Sequence, residues 1–153
     1  MALALLGPEG RKVRLEMDFA PDTPLVLIDK VRVQQVLLNL IRNAVEAMQG
    51  RPERDLAIRA IQAAGDMVEI SVTDTGPGLS AEVRAKLFQP FVTTKSSGMG
   101  VGLSICHSII EGHGGRMWLV DTADGGAEFH FTLPAVANGE CLTDMALPPT
   151  GAA

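Results

Sequence analysis

In "KVRLEMDF" hydrophobic and polar residues alternate strictly. Val13, Leu15, Met17 and Phe19 fall on one face, and Lys12, Arg14, Glu16 and Asp18 on the other. That period of two predicts a half-buried strand. "PDTP" breaks it, and the short apolar run Leu25 to Ile28 predicts a further strand ending at Asp29, a residue suited to cap a helix. From Lys30 to about Gln49 the period changes to that of a helix, with Val33, Val36, Leu37, Leu40, Ile41, Ala44, Val45 and Met48 on the apolar side. Gly50 and Pro52 stop it.

Two more alternating runs, "DLAIRAI" and "MVEISVTD", flank "QAAGD" and predict a hairpin. "SAEVRAKLF" reads as a short helix capped by Ser80 and ended by Pro90. The polar, glycine-dotted stretch from Phe91 to Met99 has no period and predicts a mobile loop. "GLSICHSIIEGHGG" reads as a second long helix, with Leu103, Cys106, Ile109 and Ile110 turned inward. "RMWLV" and "AEFHFTLP" around "DTADGG" predict a second hairpin. The expected fold is a layered α/β (α+β) domain of two layers: a mixed, mostly antiparallel sheet with about three helices on one face. The expected organisation is a remnant of an upstream helix or linker at 1–11, one domain at 12–134, and a disordered tail at 135–153.

Composition narrows the function classes. The chain has 153 residues, 46% hydrophobic and 20% charged, as in an ordinary soluble domain. No apolar run approaches the ~20 residues of a membrane span. A net charge of -5 without a basic stripe argues against nucleic acid as the main partner. Cys106 and Cys141 lack metal-ligand spacing and a disulfide framework, which fits a reducing cytoplasm.

Three features remain unexplained by folding alone. Asn39 and Asn43 lie one turn apart on a helix that is otherwise apolar on that side, and Gln35 and Glu46 extend the row. Asparagine competes with the helix backbone for hydrogen bonds, so it is costly there unless it faces solvent, caps a loop or binds something. An amide oxygen is a hard ligand of the kind Mg²⁺ takes alongside phosphate and water. Second, a strand delivers Asp74 into "TGPG". Third, glycines cluster in three loops: Gly76 with Gly78; Gly98, Gly100 and Gly102; Gly125 with Gly126. "GMGVG" has neither the spacing of a dinucleotide fingerprint nor the Lys of a Walker loop. It opens onto a helix N-terminus, where free N–H groups suit an anion, and "TTKSS" before it adds hydroxyls and Lys95. The last cluster reads as a hairpin turn.

In this order the pieces resemble the ATP-binding catalytic domain of bacterial sensor histidine kinases, nearest to the nitrogen-regulation branch with its FixL-like kinases. "QVLLNLIRNAVEAM" is similar to the family's N box and "DTGPGL" to its first glycine box. "LFQPFVTTKSSGMGVGLSI" is similar to the F box running into the second glycine box, and "GAEFHFTLP" to the closing strand. The resemblance spans about Val13 to Pro134. It implies the fold of the gyrase, Hsp90 and mismatch-repair ATPases, with ATP and Mg²⁺ as cofactors. By position it makes Asn43 the Mg²⁺ ligand and Asn39 its partner, and Asp74 the acceptor of the adenine amino group. Gly76 and Gly78 then pass close to the base, with Leu79 beside it. Glu46 and Ala47 join the ATP-binding set. Thr94 and Lys95 lie in the lid, Gly98, Gly100 and Gly102 let it fold over the phosphates, and Leu103 opens the helix beneath. Two positions depart from the pattern. Glu46 stands where a basic residue is common, a charge that Arg42 or Lys95 would have to supply, and Glu128 stands where Thr is common.

The resemblance implies γ-phosphoryl transfer to a histidine on a separate dimerisation domain, then on to a response regulator, within a cytoplasmic and homodimeric full-length protein. Asn39 separates activities on this fold, because an amide is no base near neutral pH and cannot activate water as a Glu there would. The phosphoacceptor is not among His107, His113 and His130, which read as structural or surface residues. Two alternatives stand beside this reading: a nucleotide-binding module without phosphotransfer, and an ATP hydrolase of the same fold.

Overall fold

The computed structural model describes residues 2–6, 12–88, 102–122 and 125–136. They form one six-stranded sheet with helices packed on one face. The strands are β1 (Ala2–Leu6), β2 (Lys12–Phe19), β3 (Asp55–Ala63), β4 (Met67–Asp74), β5 (Met117–Asp121) and β6 (Ala127–Pro134). The helices are α1 (Lys30–Ala47), α2 (Ala81–Ala85) and α3 (Gly102–Gly112).

The strand order is β1-β2-β3-β4-β6-β5. Neighbours are antiparallel except β2 and β3, which run parallel from Arg14 opposite Asp55 to Phe19 opposite Ala60. A parallel neighbour requires a crossover, and α1 supplies it. The two predicted hairpins pair as expected, Leu56 facing Asp74 and Trp118 facing His130.

Alternation decides which face each strand buries. Leu56, Ile58, Val68, Val72, Phe129, Phe131 and Leu133 point at the helices. Val33, Val36, Leu40 and Ala44 of α1 and Cys106, Ile109 and Ile110 of α3 meet them. Phe131, Leu40 and Ile110 are fully buried at the centre. Burying side chains of this size stabilises the layer by about 2 kcal/mol each.

Local chemistry fixes the helix starts. Asp29 caps α1, its side chain accepting from Arg32 N at 3.3 Å, and Ser80 caps α2, accepting from Val83 N at 3.3 Å. His113, just after α3, ties the two long helices together. Its Nδ1–H donates to the Ile109 carbonyl at 2.7 Å, and its Nε2 accepts from Asp29 N at 3.0 Å.

Three expectations are corrected. Ala2–Leu6 is an edge strand antiparallel to β2, not the end of a helix. The open hydrogen-bond edge of β2 gives this short apolar run a ladder, which a helical reading of five residues ignores. Leu25 to Ile28 is no strand; a single bridge joins Val26 to Ala135. That bridge also corrects the tail boundary, since Ala135 N donates to Asp66 O at 2.8 Å and Val136 N to Leu25 O at 2.7 Å. The remainder of the expected tail, like the predicted loop at Phe91 to Met99, lies outside the described residues.

Candidate functional site

Asp74 is the last residue of β4, opposite Leu56 at the start of β3. Only 6% of its surface is exposed. Its Oδ1 accepts from Gly76 N at 2.8 Å and from Ala127 N, at the start of β6, at 3.4 Å, so two backbone donors from separate segments orient the carboxylate. Burial pushes its pKa up; the two N–H groups and the positive charge of Arg51 pull the other way without cancelling that effect. An ionisable group held in this state at a strand end suggests a binding role.

The glycines around Asp74 answer to protein contacts. A Cβ on Gly76 would stand 2.9 Å from Asp74 Oδ1 and 3.1 Å from both Ala47 Cβ and Ala47 O. Gly76 thus lets the loop settle on the last turn of α1. Gly78 has φ +76°, and a Cβ there would stand 2.5 Å from the Gly125 carbonyl. The space that side chains at these two positions would take is filled by Ala47, Asp74 and Gly125. A Cβ on Gly126 would fall 2.0 Å from the Asp74 carbonyl. Gly125 and Gly126 are therefore more than a turn, because they let the β5–β6 hairpin lie against the Asp74 loop.

Thr75 anchors the same loop from the other side. Its hydroxyl accepts from Asp55 N at 3.0 Å and stands 3.2 Å from Glu53 O, to which it can donate. Thr75 did not stand out in sequence, and Gly125 with Gly126 read there only as a turn. The available signal was a hairpin loop longer and richer in glycine than a turn needs.

Along α1, Asn39, Asn43, Glu46 and Ala47 flank the buried stripe and are half-buried. Ala47 lies one turn beyond Asn43 and touches Gly76, which sets the helix row beside Asp74. At the other end of the row, Asn39 Oδ1 lies 3.5 Å from where a Cβ of Gly102 would be, at the start of α3. Leu79 and Leu103 pack on the core from either side. The structure therefore sets Asn39, Asn43, Ala47, Asp74, Gly76, Gly78 and Gly102, from three separate segments, along one row. Arg42 is exposed. Thr94, Lys95, Gly98 and Gly100 lie outside the described residues. No cluster of three His, Cys, Asp or Glu side chains able to hold a metal occurs among the described residues.

The three histidines lie elsewhere. His107 stacks on Phe88 at 4.7 Å, and His113 joins α1 to α3. His130 stacks on Trp118 at 5.3 Å on the face opposite the helices. Its Nδ1 is 2.7 Å from Glu69 Oε1, and its Nε2 is 2.6 Å from Glu128 Oε1 without hydrogen-bond geometry. Glu128 is thus engaged on the bare side of the sheet. A cleft of about 470 Å³ beside α3, lined by Arg32, Phe88, Ile105 and His107, contains none of the residues around Asp74.

Comparison with known proteins accounts for this arrangement. Residues 28–137 match the family described as histidine kinase-, DNA gyrase B-, and HSP90-like ATPase. The sensor protein FixL of Bradyrhizobium diazoefficiens is 54% identical over 134 residues, which cover 88% of this chain and 26% of FixL. The chain spans about a quarter of the length of the curated relatives it matches. The catalytic domain of histidine kinase ThkA superposes with a TM-score of 0.65 at 38% identity, covering 79% of each chain. Full-length ShkA in complex with AMPPNP gives 0.65 at 36% identity, over 80% of this chain and 26% of that one. The chain belongs to the family of histidine kinase-, DNA gyrase B- and HSP90-like ATPases, and within it is an ATP-binding catalytic domain of the sensor histidine kinase type.

Proposed function

We propose that this domain holds Mg·ATP between α1, the Asp74 loop and the start of α3, and presents its γ-phosphate to a histidine on a dimerisation domain outside this chain. The observation that carries the reading is Asp74: a carboxylate buried at a strand end and steered by two backbone donors, one turn of loop from the helix row of Asn39 and Asn43. Full-length ShkA, of similar fold, was solved in complex with AMPPNP.

The residues fit the nucleotide and its metal. Both backbone donors bind Oδ1 of Asp74, so the carboxylate plane is set before a ligand arrives, and Oδ2 is the oxygen offered to the adenine amino group. Asn43 and Asn39 offer neutral oxygens from one helix flank, the donor type Mg²⁺ accepts. When bound, Mg²⁺ neutralises charge on the β- and γ-phosphates. Asn39 cannot take a proton from water, which favours transfer of the phosphoryl group over its loss to water. A histidine nitrogen instead forms the P–N bond as the bond to the β,γ-bridging oxygen breaks, and ADP leaves with that electron pair. Positioning supplies most of the rate. We further infer a cytoplasmic setting, a homodimeric full-length kinase and a response regulator as the next phosphate acceptor. No helix among the described residues is long and apolar enough to cross a membrane.

The test mixes this domain with the dimerisation domain of its own full-length protein and γ-labelled Mg·ATP. Label on that histidine, and none on the isolated catalytic domain, is the expected result. Bound ATP with an unlabelled histidine would make the domain a binding module. Steady phosphate release that collapses in Asn43→Ala would make it a hydrolase.

A further inference from the structure

Asp121 closes β5 and stands directly opposite Ala127 in the β5–β6 ladder. Ala127 is the residue whose N–H reaches Oδ1 of Asp74. β5 is an edge strand with β6 as its single neighbour, so the ladder alone leaves the last residue of β5 unsupported on its outer side. Arg84 supplies that support. It lies on α2, the helix that the Asp74 loop enters through the Ser80 cap. Its Nη1 donates to Asp121 Oδ2 at 2.6 Å and its Nη2 donates to Asp121 Oδ1. Such a two-pronged pair fixes orientation as well as distance, which a single point charge would not. The Arg84 Nε is shielded from solvent and has no partner among the described residues, so the set of the guanidinium rests on Asp121.

These contacts close a ring. From Asp74 the chain runs through Gly76 and Gly78 into α2, and Arg84 crosses to Asp121. Asp121 faces Ala127, and Ala127 returns to Asp74 Oδ1. The ring is tight, because a Cβ on Gly78 would stand 2.5 Å from the Gly125 carbonyl and one on Gly126 2.0 Å from the Asp74 carbonyl. The Ala127 bond, at 3.4 Å, is long for a hydrogen bond and is the one most easily lost when the ring loosens. We propose that Arg84 and Asp121 are positioning residues: their pair is a strap that sets the rotation of the Asp74 carboxylate, and with it the preference of the site for adenine over guanine. With the strap in place, Gly76 and Ala127 both hold Oδ1, and Oδ2 is left to accept from an amino group. Adenine carries that group, whereas guanine presents a carbonyl oxygen there, an acceptor that no carboxylate oxygen can pair with. Without the strap, the start of β6 leaves Oδ1, the carboxylate turns, and adenine loses its fixed partner. The strap stands on the contacts; its effect on base choice rests on the nucleotide reading given above.

The experiment compares the full wild-type chain with Arg84→Met, which keeps the aliphatic stem, with Asp121→Asn, and with the double variant. In nucleotide-free protein, the Ala127 amide signal in ¹H–¹⁵N spectra should move in both single variants, its proton shifting upfield as the bond to Asp74 weakens. Affinity for Mg·ATP should fall about three-fold, the scale of one well-aligned, partly exposed ion pair. Affinity for Mg·GTP, measured by competition, should change less, so the ATP-to-GTP ratio falls. The double variant should lose no more than either single variant, because the two groups act as one unit. An unmoved Ala127 signal in the single variants would overturn the strap. A moved signal with an unchanged ATP-to-GTP ratio, or losses that add in the double variant, would overturn its effect on base choice. A wild-type domain that binds neither nucleotide would overturn the nucleotide reading and that effect with it, while the Ala127 signal would still decide the strap.

Discussion

Asp74 has a raised pKa because desolvation outweighs its two N–H donors and the charge of Arg51. The unfolded chain gives up this proton near the ordinary value of 3.8, and the folded chain only at higher pH. Above 3.8 the folded state therefore loses ground until its own carboxyl ionises, and the penalty persists at neutral pH. Asp74→Asn keeps an oxygen for Gly76 and Ala127 and removes the charge. We expect this variant to melt no lower than wild type at pH 7, with the difference shrinking as pH falls toward 3.8. Its adenine nucleotide affinity should drop about ten-fold or more, as for a lost hydrogen bond to a charged group. Thermal melts across pH and a binding titration check both parts; unchanged affinity would remove Asp74 from the site. Gly126→Ala is the steric counterpart. The added methyl meets the Asp74 carbonyl at 2.0 Å, so a loss of about 1–3 kcal/mol is expected by denaturant melt, with weaker nucleotide binding. Gly112→Ala faces open space in the last turn of α3 and should stabilise by up to about 1 kcal/mol. Asp74 and Asn39 could be picked out in sequence because each clashes chemically with its neighbours. Gly126 read only as part of a turn, since the atom that excludes a side chain there belongs to a residue far away in the chain.

Among the elements, α1 carries the row of site residues and takes its position from both ends. Asp29 caps it with a side-chain oxygen, and the Asp29 backbone N–H reaches His113 at the close of α3. Asp29→Ala removes the cap and leaves the backbone contact, so about 1 kcal/mol of stability should be lost in a denaturant melt. A loss near zero would mean that the His113 contact alone holds the helix start. Periods of two and 3.6 made β2 to β6 and all three helices legible. They failed where pairing partners decide the outcome. Ala2–Leu6 becomes a strand because β2 has a free edge, and Leu25 to Ile28 does not, because it meets only Ala135. Edges and bridges are long-range facts that local spacing does not carry.

At the scale of the whole molecule, the order of motifs along the chain made the two-layer architecture legible before any contact was known. The placement of Asp74 and Gly76 beside the end of α1 was legible only through resemblance, since spacing along a chain does not say which loops touch. The parallel pairing of β2 with β3 has a consequence for how the molecule opens. From β3 onward the strands pair antiparallel, β3 with β4, β4 with β6 and β6 with β5, while β2 and α1 join this unit across the parallel junction. Asn39 and Asn43 belong to the first part, Asp74 and Gly126 to the second. A bound nucleotide would therefore bridge two portions of the chain that can come apart in a partial opening, and act as a clamp on that seam. Amide exchange in β2 and α1 should slow on adding Mg·ATP by a factor that grows with ligand concentration, following mass action, while exchange at the centre of β4 and β6 slows less. Uniform slowing across all six strands would show that the domain opens only as a single unit.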